Sequence, residues 1–295
     1  VRYKSWFYIC FRESAKHVPS GPDDNGKIRI LRSRDGIKWD SIVLLSDETY
    51  DLRDPKLSIT PEGRLMVLMG GSHYNKNRLL GMKPHVSFSS DGRSFSAPEP
   101  VSLENDVRTN FDWIWRTTWY NGIGYAIVYQ TRLPGNKIRL VTTKDGLSYY
   151  QLREFEIDSL PNESTIRFDQ EGRMMILVRR EAGANGMLGV SEFPYSDWSW
   201  TQLGYRLGGP NFLIADGEML LIGTRLYEPG STLTVIRVTD LQGRTLKMLT
   251  LPSGGDTSYP GMLLSGRRLY VCYYSSHEGK SSIYFSSVRL NELFP

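Results

Sequence analysis

The segment Asn162–Arg180 reads N-E-S-T-I-R-F-D-Q-E-G-R-M-M-I-L-V-R-R. A carboxylate, Glu163, opens it, and two guanidiniums, Arg179 and Arg180, close it. Arginine is suited to clamp a carboxylate through paired N–H bonds, so the convergence of these side chains points to anion recognition. They converge if the segment is a hairpin. Two apolar runs, Ser164–Phe168 and Met174–Val178, flank the turn Asp169-Gln170-Glu171-Gly172, and a hairpin brings its entry and exit to one end.

Similar units recur along the chain. Their expected bounds are 1–45, 52–101, 114–155, 163–203, 210–250 and 259–295, with four strands each. A period of about 45–50 residues is the signature of a β-propeller, because a small sheet cannot bury both faces alone and must stack on its neighbours. The expected fold is an all-β, six-bladed propeller forming a single domain. Its first blade lacks an inner strand, which is sought just upstream of Val1, and its last blade lacks a clear outer strand. Three turns share [ST]-x-D-G-x-x-aromatic: Ser33/Asp35/Trp39, Ser89/Asp91/Phe95 and Thr143/Asp145/Tyr149. Asp and Gly suit a tight turn, so these read as folding devices.

Aligning the units on their second strands sorts the candidate chemistry into two rings. The strand-start ring holds Arg53-Asp54, Arg116, Glu163, Asn211 and Tyr259; the strand-exit ring includes Arg12, Arg180 and Arg225 in one register. Clustered arginines repel one another unless an anion or carboxylate sits among them. Strand alternation lets only one of Arg179 and Arg180 face inward, and the repeat register favours Arg180. His17 and His277 lie on loops that reach the same rim.

Composition narrows the classes. With 36 basic and 32 acidic residues the net charge is +4, without Lys/Arg blocks, which does not indicate a nucleic-acid partner. No apolar run is long enough to span a membrane. The chain opens at Val1 rather than Met, and the expectation is a secreted or periplasmic protein whose signal peptide has been removed. Cys10 and Cys272 sit in apolar strands and read as free thiols. Neither a metal nor a cofactor is implied.

On these segments the chain resembles the sialidase (neuraminidase) superfamily. The three Asp-Gly turns are similar to its Asp boxes, one residue shorter. Asn162–Arg180 resembles the stretch bearing a glutamate and a triad arginine, and T257-S-Y-P-G-M-L263 resembles the stretch bearing a tyrosine nucleophile. The resemblance implies retaining hydrolysis of a terminal acidic sugar through a glycosyl-tyrosine. Tyr259 is then the nucleophile and Glu163 its base, while Arg225 and Arg180, with Arg53 or Arg12, hold the sugar carboxylate. The general acid is sought at Asp54 or at Asp24 beside Asp23. The family spacing favours Arg179 over Arg180. The family's F/Y-R-I-P motif is absent, and L52-R-D-P55 is the nearest match. Arg116, Asn211 and His17 complete the candidate substrate contacts, and the expected partner is an acidic glycan. Two other readings stand beside this one: a propeller hydrolase or lyase for another acidic sugar, and a non-catalytic carbohydrate-binding propeller.

Overall fold

Short apolar runs bounded by Gly, Asp and Asn become strands throughout. A computed structural model describes residues 1–104, 109–131, 135–215, 218–228 and 231–294. The chain divides into two compact units, Val1–Glu156 and Ile157–Pro295. Six successive sheets give it the six-bladed propeller arrangement.

In the first unit, one sheet is Arg2–Tyr3, Trp6–Glu13, Lys27–Ser33 and Asp40–Leu45. The next runs Tyr50–Ile59, Leu65–Asn75, Arg78–Ser89 and Glu99–Pro100. The third is built from Asp112–Tyr120, Ile123–Gln130, Lys137–Thr143 and Ser148–Glu156, with Ser102–Leu103 added in parallel to the last of these. In the second unit the sheets are Ser164–Phe168, Met174–Val178, Met187–Ser191 and Ser199–Gln202, then Asn211–Ile214, Leu220–Glu228, Ser231–Thr239 and Thr245–Thr250. The last, Thr257–Ser265, Arg268–Ser275 and Ser282–Arg289, has three strands among the described residues. One expectation changes. The edge position sought upstream of Val1 is taken by Arg2–Tyr3, which pairs with Trp6–Phe7.

Core residues come from both faces of the second strands. Leu65, Met66, Val67, Leu68 and Met69 are all essentially buried, as are Met174 to Val178. Such continuous apolar runs mark strands covered on both sides, and each buried Leu, Ile or Met contributes roughly 1.5–3 kcal/mol. Among the described residues no helix is long and apolar enough to cross a membrane.

The three Asp-Gly turns share one geometry. In the first, Asp35 Oδ1 accepts the N–H groups of Ile37 and Lys38 at 2.8 and 2.9 Å, and Ser33 Oγ accepts that of Gly36 at 2.9 Å. Asp91 and Asp145 repeat this with Arg93/Ser94 and Leu147/Ser148. Gly36, Gly92 and Gly146 have φ of 76°, 76° and 79°, a left-handed conformation that glycine adopts without steric cost. The second unit uses another device, Asp-x-x-Gly-Arg. Asp169 accepts Arg173 N–H and Nε at 2.8 and 2.6 Å, and Asp240 accepts the same groups of Arg244 at 2.9 and 2.7 Å.

Candidate functional site

The hairpin that ends in Arg179 continues past its strands. Ser164 pairs with Val178, and the next rung adds Arg179 N–H to Glu163 O at 3.1 Å and Asn162 N–H to Arg179 O at 3.0 Å. Glu163 and Arg179 are therefore directly opposite. The Glu163 side chain is 9% exposed. Its Oε2 accepts Arg179 Nη1 at 2.7 Å and the Gly209 N–H at 3.0 Å, and its Oε1 accepts the Tyr259 hydroxyl at 2.9 Å. Burial by itself pushes the Arg179 guanidinium down, but the charge and hydrogen bond of Glu163, with Tyr259 and Glu181 behind them, hold it well above its ordinary value.

Tyr259 reaches Glu163 because its strand is broken by a bulge. The register shifts between Ser258 and Gly261, Tyr259 has φ of 53°, and Pro260 follows. A left-handed non-glycine residue costs of order 1–3 kcal/mol and persists only where its surroundings impose it. Here Ser258 Oγ donates to Gly208 O at 2.6 Å and Asn211 Nδ2 donates to Pro260 O at 3.0 Å, fixing both flanks. Gly209 packs against the Tyr259 ring so closely that a Cβ there would collide with it.

Arg225 is bonded to the strand that carries Tyr259. Its Nε donates to Thr257 O at 2.7 Å, and its Nη2 donates to Asp256 Oδ1 at 2.8 Å and to the Tyr274 hydroxyl at 3.0 Å. Tyr274 in turn donates to Asp256 at 2.8 Å, and its ring centroid is 5.9 Å from that of Tyr259. Burial and the neighbouring Asp256 charge push the Tyr274 phenol up, against the opposing pull of Arg225.

Two expectations about this unit are overturned. The repeat register favours Arg180 over Arg179 as the inward arginine, yet the Arg180 side chain is 4% exposed and turned away. It donates to Asp158 at 2.5 Å, Gln202 at 2.6 Å and the Asn185 carbonyl at 2.7 Å. Neighbouring residues of an extended strand point to opposite faces, and the rung opposite Glu163 belongs to Arg179. Asn211, expected as a substrate contact, is 1% exposed and serves as a lock, accepting Arg167 at 2.8 Å while donating to Pro260.

In the first unit Arg12 and Arg53 do meet, on a carboxylate that sequence reasoning missed. Asp51 is fully buried; it accepts Arg12 Nη2 at 2.7 Å, the Gly26 N–H at 2.5 Å and Arg53 Nε. The loop closes over both guanidiniums, with Lys16 O accepting Arg12 and His17 O accepting Arg53. His17 thus contributes a carbonyl, and its side chain is exposed. Asp24 accepts Lys16 Nζ at 3.1 Å and the Ser20 N–H at 3.2 Å, which hold its carboxyl below the usual range. Asp54 sits in a second inner-strand bulge, between Arg53 and Lys56, with φ of 47° and Pro55 following, the same backbone device that displays Tyr259. Among the described residues its carboxylate enters no ion pair. Arg116 sits in a third bulge, between Ile114 and Thr117, and burial pushes it down to about 10. Glu13 pairs with Arg29 at 2.8 Å rather than with its neighbour Arg12.

No protein-family model matches the sequence, and no curated protein matches it. Solved structures do. A protein of unknown function from Dyadobacter fermentans superposes with a TM-score of 0.80 at 17% identity, covering 98% of this chain and 92% of that one. Trypanosoma rangeli sialidase gives 0.69 at 14%, covering 99% and 53%, so this chain spans about half of that enzyme's length. The phage phi92 endosialidase gives 0.74 at 9%, covering 98% and 66%. At these identities the likeness shows the fold, a six-bladed propeller of the kind found in sialidases.

Proposed function

We propose that this protein is an exo-acting, retaining glycoside hydrolase of sialidase type, removing a terminal acidic sugar. The observation that carries the reading is the 2.9 Å hydrogen bond from the Tyr259 hydroxyl to a nearly buried Glu163. Tyr259 Oη attacks the anomeric carbon as its proton passes to Glu163, and the glycosidic C–O bond breaks. A carboxylic acid protonates the leaving oxygen. Water then attacks the anomeric carbon, giving a proton to the carboxylate left by the acid, as the bond from that carbon to Tyr259 Oη breaks and Glu163 returns the phenolic proton. A neutral phenol approaches a carboxylate-bearing anomeric carbon without the repulsion a carboxylate nucleophile would meet. Arg179 and Arg225 supply positive charge beside Tyr259. The fold neighbour from Trypanosoma rangeli was captured with 2,3-difluorosialic acid as a covalent intermediate, which supports the reading.

The test is turnover of a fluorogenic sialoside by wild type, Tyr259→Phe and Glu163→Gln. Each substitution is expected to lower kcat/KM by roughly 10²–10⁴-fold. Unchanged turnover in both Tyr259→Phe and Glu163→Gln overturns the assignment. One observation favours a second reading, a non-catalytic glycan-binding propeller: Arg225 and Arg180 already carry carboxylate partners. Glycan binding without turnover of any glycoside selects it.

A further inference from the structure

Arg179 is divided between two carboxylates. Its Nη1 donates to Glu163 Oε2 at 2.7 Å and its Nη2 contacts Glu181 Oε1 at 2.8 Å. An arginine facing a single carboxylate tends to take both oxygens through its fork. Here the second carboxylate draws one arm aside, and Glu163 keeps Oε1 for Tyr259. Arg179 Nε is buried without a hydrogen-bond partner, so an undivided guanidinium has a donor ready to turn onto Glu163.

Glu181 is itself fixed. Asn162 Nδ2 donates to its Oε1 at 2.8 Å. Its N–H donates to Ser159 O at 2.8 Å and its carbonyl accepts Ala184 N–H at 2.9 Å. Residues 179 and 181 are two apart, on the same side of an extended segment. The other charged and titratable groups of this unit beside Tyr259 are Arg225, Asp256 and Tyr274, which are bonded to one another.

We propose that Glu181 is a positioning residue: by dividing Arg179 it holds Glu163 to a single arginine bond, so that the free oxygen stays on the Tyr259 hydroxyl. The catalytic consequence rests on the glycosidase reading; the geometric one does not.

The experiment separates the two. Protein labelled with 13C at tyrosine Cζ is compared as wild type, Glu181→Gln, Glu181→Asp and Glu163→Ala, with Tyr259→Phe assigning the resonance. Turnover of the same sialoside is measured alongside. Glu181→Gln is expected to move the Tyr259 resonance toward its position in Glu163→Ala. It lowers kcat roughly ten- to a hundredfold with little change in KM, and Glu181→Asp recovers part of both effects. A Tyr259 resonance at its wild-type position in both Glu181→Gln and Glu181→Asp overturns the proposal, whatever the activity. If the resonance moves but the wild type hydrolyses no sialoside, the positioning role stands and the glycosidase reading falls.

Discussion

Replacing each of two adjacent arginines by lysine separates site from scaffold. Lysine keeps the charge but offers one nitrogen where arginine offers a planar fork. Arg180 reaches three acceptors in three directions: Asp158, Gln202 and the Asn185 carbonyl. A single ammonium cannot serve all three, so Arg180→Lys loses about two hydrogen bonds at roughly 1–1.5 kcal/mol each. The Asp158 side chain is 73% exposed, so its ion pair is screened by solvent and adds little. The expected loss is about 2–3 kcal/mol, seen as a fall of several degrees in Tm, with kcat/KM close to wild type. Arg179 is different, because its two arms hold Glu163 and Glu181. Lysine keeps a counter-ion beside Glu163 but cannot span both carboxylates. Stability is expected to change by about 1 kcal/mol or less, while kcat/KM falls roughly ten- to a hundredfold. Thermal unfolding and sialoside kinetics on the two variants decide the matter. Loss of turnover in Arg180→Lys with turnover retained in Arg179→Lys would refute the assignment of the inward arginine.

Two further outcomes concern the first unit. Asp51→Ala leaves Arg12 and Arg53 without their shared carboxylate and is expected to cost about 3–5 kcal/mol in urea unfolding; a change under about 1 kcal/mol shows that the pair is compensated elsewhere. The turn carboxylates set an acid limit. Asp35 is held below its ordinary 3.8 by the N–H groups of Lys38 and Ile37, and Asp91 is pushed to about 2 by those of Arg93 and Ser94. Burial works the other way for Asp145, but the N–H groups of Ser148 and Leu147 outweigh it. A carboxyl with its folded value depressed adds stability above its unfolded value and loses it as the pH falls toward the folded one. Tm is therefore expected to drop between pH 3.8 and about 2, and Asp91→Asn to flatten part of that slope.

Much of the fold was legible because its signals repeat. Asp-Gly turns followed by alternating apolar residues define strands wherever the elements are long enough to show a period. Arg2–Tyr3 was missed because two residues carry no periodicity; only pairing with Trp6–Phe7 makes them a strand. The bulges at Asp54-Pro55 and Tyr259-Pro260 had a readable mark, since proline in a strand interior implies a break in the ladder. What the mark did not say is that the residue before each proline turns left-handed, which at Tyr259 depends on partners of its flanking residues, Gly208 and Asn211, that are remote in sequence.

The buried partners of the arginines were legible in principle. Asp51 and Arg53 stand two apart on one strand, as do Arg179 and Glu181 just beyond another, and alternation puts each pair on one side. The error over Arg180 has the same root. Aligning repeats between blades placed Arg180 in register with Arg12 and Arg225, but inter-blade alignment tolerates a one-residue offset, and one residue reverses the face. Counting within the hairpin tolerates none. Phe168 opposite Met174 and Ser164 opposite Val178 put Arg179 opposite Glu163. The turn Asp169–Gly172, through its bonds to Arg173, therefore sets which guanidinium reaches Glu163 at the far end of the hairpin. A one-residue insertion in that turn that shifts the pairing would bring Arg180 to Glu163 and carry Arg179 to the opposite face.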